Sequence, residues 1–254
     1  MMKPFRKRRA KAKKVNAPLP IKFSLNDVAS LGNIIGDRHY VHNGIAVPRV
    51  TNILSTCMHN DGLMYWANYL GFKHQGYKEV LNQAADYGTK VHEALEHYIK
   101  GEPFDASTPL NPIQAFENWW KQVSTNNQVK VLGQEFSLTC PWYGGTYDML
   151  LEINGKPWLV DFKTSNHIRV SYCLQLAAYR NMLRYNGIVK DISGFIVLRL
   201  FKDRPEFEEF IIDMMRPDQM AFMDQCSRTF NAMAYQFWNM IDIQTQFDKY
   251  HKGR

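Results

Sequence analysis

The chain lacks any uncharged apolar run of about 18 residues, so no membrane-spanning helix is expected. No secretory leader is expected either, because the basic stretch at residues 1–14 is followed by no apolar one. A cytoplasmic, non-secreted protein is the expectation. Cysteine is scarce. Cys57, Cys140, Cys173 and Cys226 are scattered and form no CxxC pair, which argues against a zinc knuckle or a locally ligated iron–sulfur cluster. They read as reduced core thiols. Acid is missing from residues 1–14, MMKPFRKRRAKAKK, which carry eight basic side chains. The net +7 less those eight leaves −1 on the other 240 residues, so the basicity is a tail and the body is near neutral. Such a block repels itself and is either a solvated tail or a non-specific hold on nucleic-acid phosphates.

What is present suits a folded domain. The 254 residues are 45% apolar, enough to bury a core. Residues 1–20 read as basic tail and linker, and 21–254 as a single domain. Asn43-Gly44 marks one hairpin. Thr51 is placed to cap a helix beginning NILSTCM, and Thr89 to start a second one ending before Gly101. Residues 61–83 read as helical, 102–112 as a Pro-containing loop, and 113–123 as a short helix with Trp119 and Trp120. Strands follow, then a helix stopped by Gly187, two more strands, and a helix from Pro217 nearly to the end. That last helix carries Phe222, Met223, Phe230, Met233 and Phe237, which either cap the sheet or meet a partner. The order predicts an α/β (α+β) fold, a mixed sheet flanked by helices with a helical N-terminal elaboration.

The stretch YDMLLEINGKPWLVDFKT, Tyr147–Thr164, raises the chemical question. Asn154-Gly155 favours a two-residue hairpin turn. In that register Ile153 faces Lys156 and Leu151 faces Trp158, and the ladder carried outward sets Asp148 opposite Asp161. Side chains alternate faces, so Lys163 shares the face of Asp161, opposite Thr146. The other face, from Tyr147, Met149 and Leu151 to Val160 and Phe162, is core. Two carboxylates this close require a shared proton or a cation. Lys163 can pair with one, and a hard divalent ion satisfies both. A structural Asp–Lys–Asp cluster is the other reading.

A second constellation lies in GTKVHEALEH, where His92 and Glu96 share a helix face, as do Glu93 and His97. One histidine with two aspartates suits Mg²⁺ or Mn²⁺ with water, and poorly suits a closed zinc site. Gln175 and Tyr179 form another i, i+4 pair, either a polar helix face or a pair aimed at substrate.

Gly88-Thr89…His92…Glu96, Gly145-Thr146-Tyr147-Asp148, Asp161-Phe162-Lys163 and Gln175…Tyr179 stand in the order of the motifs of RecB-type nucleases. Over residues 47–180 the chain resembles that branch of the PD-(D/E)xK phosphodiesterase superfamily. Within it, the chain is most similar to the mitochondrial genome-maintenance and related phage exonucleases. Pro48-Arg49-Val50-Thr51-Asn52-Ile53-Leu54 matches their upstream segment, with Arg49 where serine is common. Tyr147, rather than proline, precedes Asp148, and the cluster-binding cysteines of some relatives have no counterpart.

The resemblance implies a restriction-endonuclease-like core and one or two Mg²⁺ or Mn²⁺ ions. The ligands it implies are His92, Asp148, Asp161 and the Phe162 backbone carbonyl. Asp148, Asp161 and Lys163 would be catalytic. Gln175, Tyr179, Arg49 and Thr51 would contact nucleic acid, with Glu96 and Glu135 supporting. The implied activity is a metal-dependent DNA exonuclease preferring single strands or free ends, with a replication or recombination protein as a possible partner. The alternatives are a structure-specific DNA endonuclease, or a non-catalytic nucleic-acid-binding protein that uses its tail and the Trp119–Trp120 pair. Oligomeric state stays open.

Overall fold

The structure, a computed structural model, describes residues 39–58 and 61–252. The basic tail and the expected domain boundary at residue 20 lie outside the described residues. A hairpin of β1 (Tyr40–His42) and β2 (Ile45–Val47) leads into four helices: α1 (Val50–Cys57), α2 (Asp61–Phe72), α3 (Tyr77–Lys100) and α4 (Leu110–Asn126). Then come β3 (Val129–Thr139), β4 (Gly144–Ile153), β5 (Lys156–Lys163), α5 (Val170–Tyr185), β6 (Gly194–Leu200), β7 (Phe207–Asp213) and α6 (Pro217–Lys252).

Five strands form one mixed sheet in the order β3-β4-β5-β6-β7. Neighbours are antiparallel except β5 and β6, which run parallel. A parallel pair needs a crossover, and α5 supplies it. This is the expected mixed α/β architecture, with a central sheet flanked by helices and further helices before it. It is consistent with a restriction-endonuclease-like core.

Helices cover both faces of the sheet. Met149, Leu151, Val160, Phe162, Ile196 and Leu198 pack against α3 and α4 through Val91, Leu95, Phe116 and Trp119. The alternate residues Leu150, Leu159, Phe195 and Val197 pack against α1, α5 and α6 through Ile53, Leu176, Met223 and Phe230. The hairpin face expected to end in charge is therefore apolar over most of its length. Asp148 and Asp161 lie in its buried continuation, at 7% and 1% exposure.

The turn register holds from Ile153↔Lys156 to Met149↔Val160. Asn154 and Gly155 both take left-handed φ, of 52° and 76°, as a primed turn demands. Three expectations need correction. Arg49, not Thr51, is the extended residue before α1, and its carbonyl accepts from Asn52 and Ile53 N–H. Thr89 lies inside α3, where its hydroxyl donates to the Ala85 carbonyl at 3.1 Å. Such back-bonding lets a threonine sit mid-helix. The helix around the tryptophan pair runs over Leu110–Asn126, taking in Pro112, which the first turn of a helix tolerates.

Met223, Phe230 and Phe237 of α6 are buried and Met233 is partly so, while Phe222 is exposed. The helix therefore caps the sheet. Among the described residues no helix is long and apolar enough to cross a membrane.

Trp119 is fully buried, and its indole N–H donates to Glu209 at 2.6 Å. Trp120 stacks on Phe116 at 6.0 Å between centroids. The pair packs with the core, Trp119 within it and Trp120, partly buried, against it. Trp119→Ala is expected to destabilise the fold by about 3–5 kcal/mol, as other large aromatic deletions do. Urea unfolding checks this. A variant of native stability with weakened DNA binding would refute it.

Candidate active site

Three acids occupy neighbouring positions on three successive strands. The four-residue loop 140–143 sets the β3/β4 register, with Gln134↔Met149 and Phe136↔Tyr147 paired. Glu135 falls between them, opposite Asp148. Its φ of 42° is left-handed, an uncommon conformation for a side chain of this kind, costing about 1–3 kcal/mol. Next along, Asp148 reaches toward β5. The β4/β5 ladder stops at Met149↔Val160, one pair short of the expected Asp148–Asp161 pairing. The Asp148 Oδ2 atom instead accepts the Phe162 backbone N–H at 2.6 Å. The two aspartates are thus neighbours at a divergence of strands rather than a regular cross-strand pair.

From α3, which lies over this end of the sheet, His92 meets the acids. Its Nδ1 is 3.4 Å from Glu135 Oε1 and 3.5 Å from Asp148 Oδ1. Its ring packs edge-on against Phe162, 6.0 Å between centroids, which fixes the imidazole plane. Ligand atoms of His92, Glu135 and Asp148 all lie within 4.8 Å of one another, a spacing that fits one cation. Asp161 adjoins this trio. Lys163 Nζ lies 2.6 Å from Asp161 Oδ2 and 5.0 Å from the centroid of the Tyr172 ring. The ammonium reaches only one of the two buried Asp161 oxygens, and Oδ1 has no partner. Buried carboxylate oxygens without partners are costly. A hard divalent ion suits them, and the oxygen-rich, single-nitrogen donor set fits Mg²⁺ or Mn²⁺.

Protonation follows the same crowding. Burial raises the Asp148 carboxyl above its usual range, against the opposing charges of His92 and Lys163. Burial likewise pushes Asp161 up to about 6, with Lys163 opposing and Asp148 adding. Burial alone would lower His92, but the Asp148 charge and the Glu135 hydrogen bond raise it to about 9. Lys163 is also raised: Asp161 and Asp148 outweigh its burial. Two cationic side chains therefore balance the acids, and a cation bound at the imidazole would displace its proton.

A cleft of about 480 Å³ opens beside His92 and Glu135 of the trio. Arg49, Thr51, His92, Glu96, Glu135, Gln175 and Tyr179, all expected from sequence, lie on its wall. Arg49 arrives there because Pro48 C=O accepts the Gly144 N–H at 2.9 Å and Arg49 bridges Gly144. Gln175 donates to the Tyr179 hydroxyl at 2.8 Å. Burial, then the Asp161 charge, holds that phenol well above its ordinary pKa. Gly145 is required by Tyr179: a Cβ there would fall 2.6 Å from Cε1 of the ring. Glu96 gives its carboxylate to Lys100 at 2.6 Å, so it lines the cleft without joining the trio. His97 pairs with Glu102 at 3.0 Å, away from the acids. Phe162, whose carbonyl was an expected ligand, is placed through its N–H on Asp148 and its buried ring.

Sequence reasoning gave Glu135 a supporting role, whereas the geometry puts it among the candidate ligands. Its position thirteen residues before Asp148, just as Asp148 precedes Asp161, was a readable signal. Tyr40, whose hydroxyl is 2.8 Å from Thr146 Oγ1, and Tyr172 had no such signal. They reach the site from a hairpin and a helix that only tertiary packing brings near.

Mn²⁺ or Mg²⁺ is expected to raise the melting temperature, by the equivalent of about 2.7 kcal/mol at one hundred times Kd. Differential scanning calorimetry should show that shift shrinking in His92→Ala and Asp148→Asn. Glu135→Gly is expected to shrink it too, without lowering the melting temperature of the metal-free protein, because glycine relieves the left-handed backbone. A full metal shift in Asp148→Asn would exclude this centre.

No protein-family model matches the chain. No curated protein matches it. Fifteen solved chains match. One is the crystal structure of SSO0001, 14% identical with a TM-score of 0.35, covering 78% of this chain and 79% of that one.

Proposed function

We propose that the chain is a metal-dependent DNA nuclease of the PD-(D/E)xK type. Its proposed activity is an exonuclease that hydrolyses phosphodiester bonds in single strands or at free ends. One observation carries this reading: Glu135, Asp148 and Asp161 stand on successive strands with His92 and Lys163 beside them, and His92 and Glu135 of this group line an open cleft. A structural cluster would have no use for a buried Asp161 Oδ1 without a partner.

His92, Glu135, Asp148 and Asp161 would hold the ion. When bound, a divalent ion supplies Lewis acidity toward a phosphoryl oxygen and a lower pKa for its water. The chain's own groups do the rest. Lys163, kept charged by Asp161 and Asp148, sets a fixed ammonium where negative charge grows on the phosphoryl group. The Tyr172 ring and Asp161 restrict where that ammonium can point. Arg49, Gln175 and Tyr179 offer donors along the cleft for the strand.

Linear single-stranded, linear duplex and circular single-stranded DNA, each with Mg²⁺, Mn²⁺ or chelator, test the proposal. Linear single strands are expected to be degraded with metal only, and circles to stay whole. Nicked or linearised circles would favour a structure-specific endonuclease instead. Lys163→Ala and Asp161→Ala are expected to lower the rate by at least about a hundredfold, the scale of losing one transition-state charge contact. A purified, folded Lys163→Ala that retains full activity would sink the site assignment.

A further inference from the structure

A second pocket, of about 370 Å³, lies at the same end of the sheet as the acidic cluster. It begins one residue after Lys163, at Thr164, Ser165 and Asn166, and closes on the β6–β7 turn. Arg199 is the parallel-strand neighbour of Lys163, and its Nε donates to the Ser165 carbonyl at 2.8 Å. The guanidinium carbons of Arg199 and Arg204 sit 4.2 and 3.9 Å from the centroid of Phe201. Lys202 extends its ammonium to 4.7 Å over the ring of Tyr87, the residue before Gly88. Gly88 itself lines the main cleft, and a Cβ there would meet Thr164 Oγ1 at 3.7 Å. Cleft and pocket therefore meet at the Tyr87–Gly88 turn of α3. The turn forming the pocket's far wall is also held in place: Asn111 and Asn118 of α4 donate to the carbonyls of Lys202 and Pro205 at 3.0 and 3.1 Å.

We propose that this pocket binds a phosphodiester of the substrate strand next to the bond being cut; the inference rests on the nuclease reading above. Three cations, Arg199, Lys202 and Arg204, and one acid, Asp203, line its wall, and Glu208 pairs with Arg199 at 2.7 Å. Arg204 pairs with Asp203 and Glu206, both largely exposed, and such pairs are worth only about 0–1 kcal/mol, so phosphate oxygens can replace them. Among the described residues no carboxylate lies within ion-pair distance of Lys202, which keeps its charge available. Stacked on Phe201, Arg199 gives Nε to the Ser165 carbonyl and Nη1 to Glu208, and Arg204 gives Nε to Glu206 and Nη1 to Asp203, which leaves Nη2 of each to meet a phosphate. The pocket continues the line of β5 beyond Lys163. A strand whose scissile phosphate lies at Lys163 thus has a neighbouring phosphate within reach.

The test is the salt dependence of binding to a labelled single-stranded oligonucleotide, measured in chelator so that nothing is cut. Each cation–phosphate contact on single strands contributes about 0.7 to the slope of log K against log salt. Lys202→Ala/Arg204→Ala is expected to lower that slope by about 1.4 and to weaken low-salt binding several-fold. Lys156→Ala/Lys190→Ala, at the opposite end of β5 and β6, removes the same charge and should leave the slope nearly unchanged. If the double variant misfolds, Lys202→Ala alone should show half the effect. A wild-type slope in the pocket variants, or an equal change in the control, overturns the inference while leaving the nuclease reading intact. A wild-type protein that cuts no DNA with either metal overturns both.

Discussion

Mutual repulsion among buried carboxylates is the constraint around which this structure is arranged. Two like charges about 4 Å apart repel by about 4 kcal/mol at an effective dielectric constant near 20. Glu135, Asp148 and Asp161 sit on adjacent strands at one end of the sheet, and the two aspartates are buried where water cannot screen them well. Their neighbours answer that repulsion. His92 approaches two of them from α3, Lys163 approaches the third from its own strand, and the Phe162 N–H is given to Asp148. The hydrogen-bond ladder stops where the acids begin, and Glu135 adopts a left-handed backbone. Such local irregularity is tolerated when the surrounding packing over-determines it.

That packing comes from two apolar layers. The alternation of Met149, Leu151 and Val160 with Leu150 and Leu159 buries the hairpin on both faces. A strand buried on both sides cannot slip by one residue without exchanging its whole side-chain set. The register that places the acids is therefore held by residues that never touch the site. The Gly144–Gly145 pair extends the arrangement outward, because only residues without a Cβ admit the rings of Tyr40 and Tyr179 against β4. Through those contacts the N-terminal hairpin and α5 become walls of the cleft. The acids thus stand on a rigid sheet beside an open, donor-lined cleft.

Much of this was legible because the strongest signals are local. Asn-Gly turns, the alternation of apolar residues, and Gly101 and Gly187 after helix ends all report on backbone conformation within a few residues. Errors arose where capping depends on geometry rather than residue type. Thr51 and Thr89 look like caps, yet Arg49 begins α1, and α3 runs straight through Gly88-Thr89 because the helix is held by its packed face. Glu96 looked like a partner of His92, but its carboxylate turns to Lys100 one helical turn on.

By itself the sequence determined the hairpin register, the chain of acids at thirteen-residue spacing, and the histidine face of α3. These are properties of turn chemistry and helical periodicity, and they need no knowledge of distant contacts. Only the tertiary structure decided that Glu135 joins His92 and Asp148, that Asp161 is held by Lys163, and that Arg199 and Lys202 lie beside them. Those outcomes depend on how strands diverge, how α3 crosses the end of the sheet and how a parallel crossover sets β6 against β5. Each involves residues tens of positions apart, where the fold, and not local propensity, sets the distance.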